Sequence, residues 1–482
     1  MIRELKIIIK RTYVIIKDYK EDSNWEKFRS HMSVWDVNNR TRTKYVTWRA
    51  YKEDGDDLII HRGIKYDEFI KYFPNHKIEY DDSYTPYKLI RGINCNTKPR
   101  DELQINTIQF LKNTTSSQKF ICLKPGSGKT YCCIKYISDT KLIPIIFCDN
   151  DKTLLQWRES FIKFTNITNE DIYQFSGSPT VDKILNENNS NYKVYLASHR
   201  TLQSYCKNDI SKVDELFSKL GIGIKVFDEA HVEWMNIFNI DVNSNIYETI
   251  YLTATPGRSK QSEKEVYNRM FGSIDMYGYE ESREKQHILY IDASWNSKPL
   301  EYTISYMTNS KGFDSNRYND YLLKNETFFE ILLKMTSSLF TKNDKLGQIA
   351  IVVNCNNMIE EIYKRMSTDK RFDGKSIGRY CMLVNKSERM NELEKDIILT
   401  TIKGFNKAVD VPNLEILINT VNISSLIMIE QLSGRLRFKE GVNKYFIQIT
   451  DEGFPQFIFN RSARDRIMKK IAAKSTSCQL KL

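Results

Sequence analysis

From about residue 100 onward, short apolar runs alternate with stretches whose apolar positions recur at helical spacing. Runs at 120–123, 143–148, 194–198, 224–227 and 250–253 predict buried strands, because a strand covered on both faces reads as an uninterrupted apolar segment. The alternation breaks down into a charged, irregular connection near 279–320, then resumes at 349–354, 397–401, 414–419 and 445–450. Such a pattern predicts α/β architecture: two tandem parallel sheets, each covered by helices on both faces.

Residues 1–95 follow a different pattern and predict a small α+β N-terminal domain, rich in Tyr, Trp, Lys and Asp. Residues 40–51 read as one strand, Asp54-Gly55 as a turn, and 58–62 as the returning strand. Arg40, Arg42 and Lys44 alternate, so they would share one strand face near Trp48 and Tyr51. Such a basic face could lie along a sugar-phosphate backbone with an aromatic ring stacked on a base. The alternative is that the aromatics form this domain's core and the charges a solvated face. The expected organisation is an N-terminal domain at 1–95, α/β domains at 96–285 and 286–460, and a basic helix or tail at 461–482.

A length of 482 residues suits about three domains. The chain is 41% hydrophobic and 28% charged, a globular composition. Its formal net charge of +11 favours an acidic polymer as partner, nucleic acid first, unless it serves solubility alone. The 9 cysteines form no Cys-x-x-Cys pair, and the adjacent Cys132 and Cys133 sit on an apolar helix. This implies a reducing compartment and no zinc site. The charged N-terminus is no signal peptide, and no apolar run approaches the roughly 18 residues of a membrane span. A cytoplasmic location without membrane contact is expected.

The strongest chemical signal is Leu123-Lys124-Pro125-Gly126-Ser127-Gly128-Lys129-Thr130, set between an expected strand and an expected helix. Gly126 and Gly128 let backbone N–H groups, Ser127 among them, close around an anion at a helix N-terminus. Lys129 would reach the β and γ phosphates of ATP, and Thr130 would hold Mg²⁺. The full pattern has Gly where this chain has Leu123. About 100 residues on, Asp228-Glu229-Ala230-His231 closes an apolar run. Acids at the carboxyl end of a parallel strand face the ligand crevice, so Asp228 could hold Mg²⁺ and Glu229 could polarise water.

The phosphate loop and the Asp228-Glu229-Ala230-His231 run resemble motifs I and II of the superfamily 2 helicases, and further signatures follow in that family's order. Gln104 resembles the upstream glutamine that reads the adenine edge. Leu154-Leu155-Gln156-Trp157 resembles motif Ia, and Ser198-His199-Arg200-Thr201-Leu202 resembles motif Ib, which places Gln156 and Arg200 along the nucleic-acid strand. Thr253-Ala254-Thr255-Pro256 matches motif III; with His231 and Gln431, Thr253 and Thr255 would couple nucleotide state to the polymer site. Thr400-Thr401 with Asp410-Val411-Pro412 resembles motif V, which implies Thr400 as a nucleic-acid contact and Asp410 as a nucleotide contact, and Gln431-Leu432-Ser433-Gly434-Arg435 resembles motif VI, source of the arginine finger. Motif V departs from the family at Ala408. Motif VI departs in placing Arg437 one position early, so Arg435 or Arg437 is the finger.

Within the superfamily, the resemblance is to phage UvsW-type DNA helicases and their poxvirus relatives. It implies two RecA-like domains behind a small N-terminal domain, ATP with Mg²⁺ bound between the lobes, and a monomeric motor. The implied substrate is branched DNA in phage or viral recombination and repair: branch migration, fork regression and unwinding. The alternatives are an RNA-directed or transcript-release helicase, a restriction-type translocase subunit, and a non-hydrolysing nucleic-acid-binding scaffold.

Overall fold

The computed structural model describes residues 5–21, 24–38, 41–186, 191–205, 212–254, 261–278, 286–309, 312–342, 346–385, 388–406, 411, 413–437 and 441–480. It divides into two compact units, residues 1–282 and 283–482.

The first unit opens with β1 (Leu5–Ile9), β2 (Tyr13–Ile16), β3 (Ser33–Val37), β4 (Lys44–Arg49), β5 (Tyr51–Asp54), β6 (Asp57–His61) and β7 (His76–Tyr80). Five of these form a mixed sheet in the order β5-β6-β2-β1-β7, and β3 pairs with β4 as a separate hairpin. The expected strand over 40–51 is in fact two strands. Ala50 turns inward with no exposure, its N–H donating to Met32 O, and this separates β4 from β5. The shared basic face does not form either. Arg42 lies in the hairpin turn at φ 54°, closed by the Asn38 N–H to Thr43 O bond. Only Lys44 is in the strand, and Arg40 lies outside the described residues. Trp48 packs edge-on against Trp234 and Phe238, so its ring serves the core.

The same unit continues into β8 (Gln118–Cys122), β9 (Pro144–Cys148), β10 (Ile172–Gln174), β11 (Val194–Ser198), β12 (Ile224–Phe227), β13 (Glu248–Thr253) and β14 (Asp275–Tyr277). Their order is β10-β11-β9-β12-β13-β8-β14, and every pairing is parallel. Helices connect them, several with side-chain caps that satisfy the open N–H groups of the first turn. Asp101 accepts from Gln104 N–H (2.9 Å) at the start of the helix Glu102–Asn113, and Asn150 accepts from Thr153 N–H (3.0 Å) before Asp151–Phe164.

A buried polar cluster fastens the small sheet to this parallel sheet. His61 Nε2 lies 3.0 Å from Asp241 Oδ2, and Lys225 Nζ and Tyr251 OH donate to the same carboxylate at 2.6 Å each. Burial opposes the charge on Asp241, but the Lys225 ammonium and His61 overcome it and hold the carboxyl below its usual range. Lys225 interrupts an otherwise apolar strand for this reason.

The second unit comprises β15 (Gln286–Trp295), a hairpin of β16 (Thr308–Asn309) and β17 (Gly312–Phe313), then β18 (Gln348–Val353), β19 (Ile377–Tyr380), β20 (Ile397–Thr401), β21 (Leu414–Asn419), β22 (Lys444–Asp451) and β23 (Ala472–Gln479). The large sheet runs β19-β20-β18-β21-β22-β15-β23, again with parallel pairings. Residues 461–479, expected as a basic helix or tail, are integral to this unit. They end the helix Pro455–Ile471 and supply the edge strand β23. The cause is Arg464, which has no exposure and donates to Asp292 Oδ1 (3.1 Å), Thr450 Oγ1 (2.7 Å) and Ile423 O (3.3 Å). Among the described residues no helix is long and apolar enough to cross a membrane.

Removing one partner of a buried ion pair leaves the other charge uncompensated, at a cost of about 3–5 kcal/mol. Lys225→Met is therefore expected to lower the urea midpoint of the protein by an amount corresponding to about that loss; an unchanged midpoint would show that the cluster holds nothing together.

Candidate nucleotide site

Three neighbouring strands of the first unit, β12, β13 and β8, end side by side, and their carboxyl ends carry the expected chemistry. Backbone bonds lock those ends together: Leu123 N–H donates to Thr253 O (3.1 Å), and Ala230 N–H to Leu252 O (2.9 Å). Asp228 N–H likewise joins Phe147 O at 2.9 Å, tying β12 to β9.

The loop after β8 turns through Gly126 (φ 81°) and Gly128 (φ 90°), left-handed conformations that L side chains rarely adopt. A Cβ at Gly128 would lie 2.2 Å from Gln104 Nε2, so any side chain there would displace the Gln104 amide. Gln104 is buried and spans the loop's flank, accepting from Arg100 N–H (2.8 Å) and donating to Ser127 O (3.2 Å). Leu123 stays outside the left-handed region and is buried, so its Cβ costs nothing where the usual pattern has glycine. Lys129 opens the helix Lys129–Thr140, and Nζ donates back to Leu123 O (2.7 Å) and Lys124 O (3.3 Å). Thr130 follows it in the first turn, half-buried.

Asp228 and Glu229 leave β12 at the same edge. Burial, joined by the charge of Glu229, pushes the Asp228 carboxyl up to about 6, while the Trp157 N–H and the Lys129 ammonium pull the other way. Glu229 adopts φ 50°, a strained conformation for a non-glycine residue. Its Oε2 lies 3.4 Å from His231 Nδ1, which in turn lies 2.7 Å from Thr253 Oγ1. His231 and Thr253 are both buried, so a continuous polar path joins the ends of β12 and β13.

A phosphate group fits this loop on the structure's own evidence: left-handed glycines at 126 and 128, a helix N-terminus and a neighbouring lysine. The oxygen donors Thr130 and Asp228 suit Mg²⁺, which takes one or two protein ligands plus phosphate and water. Among the described residues no group of three or more His, Cys, Asp or Glu could hold a metal by itself.

The remaining expected residues are placed unevenly. Gln156 is half-buried on the helix Asp151–Phe164, and Arg200 is exposed on His199–Tyr205 at the carboxyl end of β11. Thr255 and Asp410 lie outside the described residues. In the second unit Gln431 is half-buried on Leu426–Ser433, Arg435 is half-buried just past that helix, and Arg437 is exposed. Thr400 has no exposure, and its hydroxyl donates to Tyr380 O at 3.0 Å, so the expected polymer contact is not open to its side chain. Thr401 takes the strand end instead, its hydroxyl oxygen accepting from Gly404 N–H (3.1 Å). Trp157, which was not among the expected site residues, donates its Nε1–H to Asp228 Oδ2 at 2.9 Å. The signal was available as a tryptophan three positions after Leu154 on the inward side of a capped helix.

Residues 95–258 match the family described as Type III restriction enzyme, res subunit. The chain is also 25% identical over 243 residues to the general transcription and DNA repair factor IIH helicase/translocase subunit XPB of Enterocytozoon bieneusi, covering 48% of this chain and 40% of that protein. It is 24% identical over 148 residues to the DNA 3'-5' helicase XPB of Kineococcus radiotolerans, covering 31% of this chain and 25% of that one. The resemblance is to XPB-like superfamily 2 helicases. The match spans less than half the length of either relative. Among solved structures, S. cerevisiae Dbp5 bound to RNA and ADP BeF3 superposes with a TM-score of 0.52 at 14% identity, over 80% of this chain and 90% of that one. That likeness establishes the tandem RecA-like fold, which the two parallel sheets display.

Alanine at Gly128 would combine a left-handed φ with the Gln104 contact, a strain of about 1–3 kcal/mol. Gly128→Ala is expected to weaken nucleotide binding about tenfold or more in a fluorescence titration; unaltered affinity would contradict the cradle. For Asp228, a carboxyl held above its ordinary range penalises the fold by an amount that grows from about pH 4 to about pH 6 and is full above that, and the penalty fades below about 4 as folded and unfolded states both become protonated. Without nucleotide or metal, Asp228→Asn is therefore expected to raise the melting temperature at about pH 8 and leave it nearly unchanged at about pH 4.

Proposed function

We propose that the protein is an ATP-driven translocase or helicase of the superfamily 2 kind acting on DNA. The observation that carries this reading is the meeting of the Lys129 loop with Asp228, Glu229 and the His231–Thr253 pair at one sheet edge. That arrangement has the parts that phosphoryl transfer to water needs: a phosphate cradle, an acid for the metal and a second acid for the nucleophile.

Lys129 would exchange its hold on the carbonyls of Leu123 and Lys124 for phosphate oxygens, a short transfer by a cation the loop already holds in place. The backbone N–H groups of Gly126, Ser127 and Gly128 would surround the phosphate, and Gln104, fixed on the loop's flank, would read the base. Mg²⁺, held by Thr130 and Asp228, would supply charge neutralisation at the phosphate oxygens. Glu229, whose side chain is 39% exposed, reaches solvent and would orient the attacking water and accept its proton. His231 and Thr253 would carry the change at Glu229 to the strand end of β13. Arg435, with Arg437 as the alternate, is proposed to meet the γ-phosphate charge.

The names of the sequence relatives support DNA as the polymer, and the resemblance to UvsW-type enzymes supports branched DNA as its form. The net charge of +11 suits either. Arg200 and Gln156 are proposed contacts, both on helices that follow carboxyl ends of strands in the first parallel sheet.

Lys129→Ala is expected to bring ATP hydrolysis to background. Glu229→Gln is expected to keep nucleotide affinity while slowing hydrolysis by about 10²–10⁴, and the finger arginine's alanine variant by about 10³–10⁵. Forked and four-way DNA are expected to stimulate the wild-type ATPase more than linear duplex or RNA. Normal hydrolysis by Lys129→Ala would overturn the site, and preferential stimulation by RNA would overturn the polymer.

A further inference from the structure

We propose that Trp157 is a positioning residue for Asp228, its indole N–H fixing the carboxylate in the orientation that receives the metal ion. The inference rests on the reading of Asp228 as the metal-holding acid and adds a residue to that reading.

The geometry is specific. Trp157 is 1% exposed, and its Nε1–H donates to Asp228 Oδ2 at 2.9 Å. The other oxygen, Oδ1, accepts from the backbone N–H of Glu229 at 3.0 Å. A carboxylate has about four lone-pair sites, so two donors pin its rotation and still leave each oxygen able to bind a cation. The tryptophan is itself held. It packs within a core cluster beside Phe161, with ring centroids 6.2 Å apart, on a helix whose first turn is capped by Asn150. That helix leaves β9, the strand paired in parallel register with β12, and Asp228 N–H bonds Phe147 O at the end of β9. Both partners of the indole–carboxylate bond are therefore anchored to adjacent strands.

Phenylalanine would fill most of the same space, and several aromatic core positions nearby carry it. Tryptophan differs there in offering one N–H, which must find an acceptor once buried. A purely structural role would be met by any acceptor, such as the backbone carbonyls that most buried donors use. Here the acceptor is the carboxylate proposed for the metal. Residues that orient a metal ligand in this way typically influence metal affinity by about 10–100-fold.

The test compares wild type, Trp157→Phe and Asp228→Asn by titrating a fluorescent adenine nucleotide analogue in EDTA and again in Mg²⁺, with thermal melting as a check on folding. In Trp157→Phe, affinity in EDTA is expected to stay within about twofold, while the gain in affinity on adding Mg²⁺ falls about tenfold. A folded Trp157→Phe protein with the full Mg²⁺ gain would overturn the proposal. A full Mg²⁺ gain in Asp228→Asn would instead overturn the assignment of Asp228 itself, so the two failures are distinguishable. Should Trp157→Phe not fold, the indole N–H resonances of the ¹⁵N-labelled wild type and Asp228→Asn proteins decide. One resonance displaced by the substitution and by Mg·nucleotide supports the bond's role, and a spectrum that neither perturbs overturns it.

Discussion

The parallel register of β12, β13 and β8 is the constraint from which the site follows. Strands running the same way bring their carboxyl ends to one edge, and there the Leu123–Thr253 and Ala230–Leu252 backbone bonds fix the departing loops against one another. Phosphate-loop backbone, metal-type acid and buried Thr253 hydroxyl thereby become neighbours, although the loop precedes the other two by roughly 100 residues or more in sequence. Residues that point inward along the same strands form the core, so the stability of the sheet and the geometry of the site have one origin.

Charge is handled differently at the two ends of that sheet. Around Asp241, a buried carboxylate is matched by Lys225, His61 and Tyr251, and the result joins the small N-terminal sheet to the parallel one. Lys119 and Glu248 form a second matched pair near the same end, with Tyr136 donating to the carboxylate. At the carboxyl end, Asp228 and Glu229 stand side by side with a raised proton affinity at Asp228 and a strained backbone at Glu229. Local discomfort of this kind is what a site built to receive a cation is expected to carry before the cation arrives.

The α/β class and most strands were legible because strands buried on both faces carry continuous apolar runs. The strands at 194–198, 224–227, 397–401 and 414–419 have the boundaries that the pattern indicates. The nucleotide loop was legible because its glycines answer a local backbone requirement. What could not be read depends on contacts distant in sequence. Trp157 meets Asp228 across 71 residues, and Arg464 is drawn inward by Asp292 across 172. Alternation placed Arg42 in a strand because a hairpin turn without glycine leaves little local signature. Thr400 and Thr401 are chemically alike, and only the sheet decides which hydroxyl faces inward.

A crystal structure of the protein with Mg²⁺ and a non-hydrolysable ATP analogue tests the central claim most directly. The account predicts phosphates enclosed by residues 126–130, Lys129 Nζ transferred from the Leu123 carbonyl to a phosphate oxygen, and the metal ion bound by Thr130 and Asp228. A nucleotide bound elsewhere, with Lys129 still on the loop carbonyls, would contradict it.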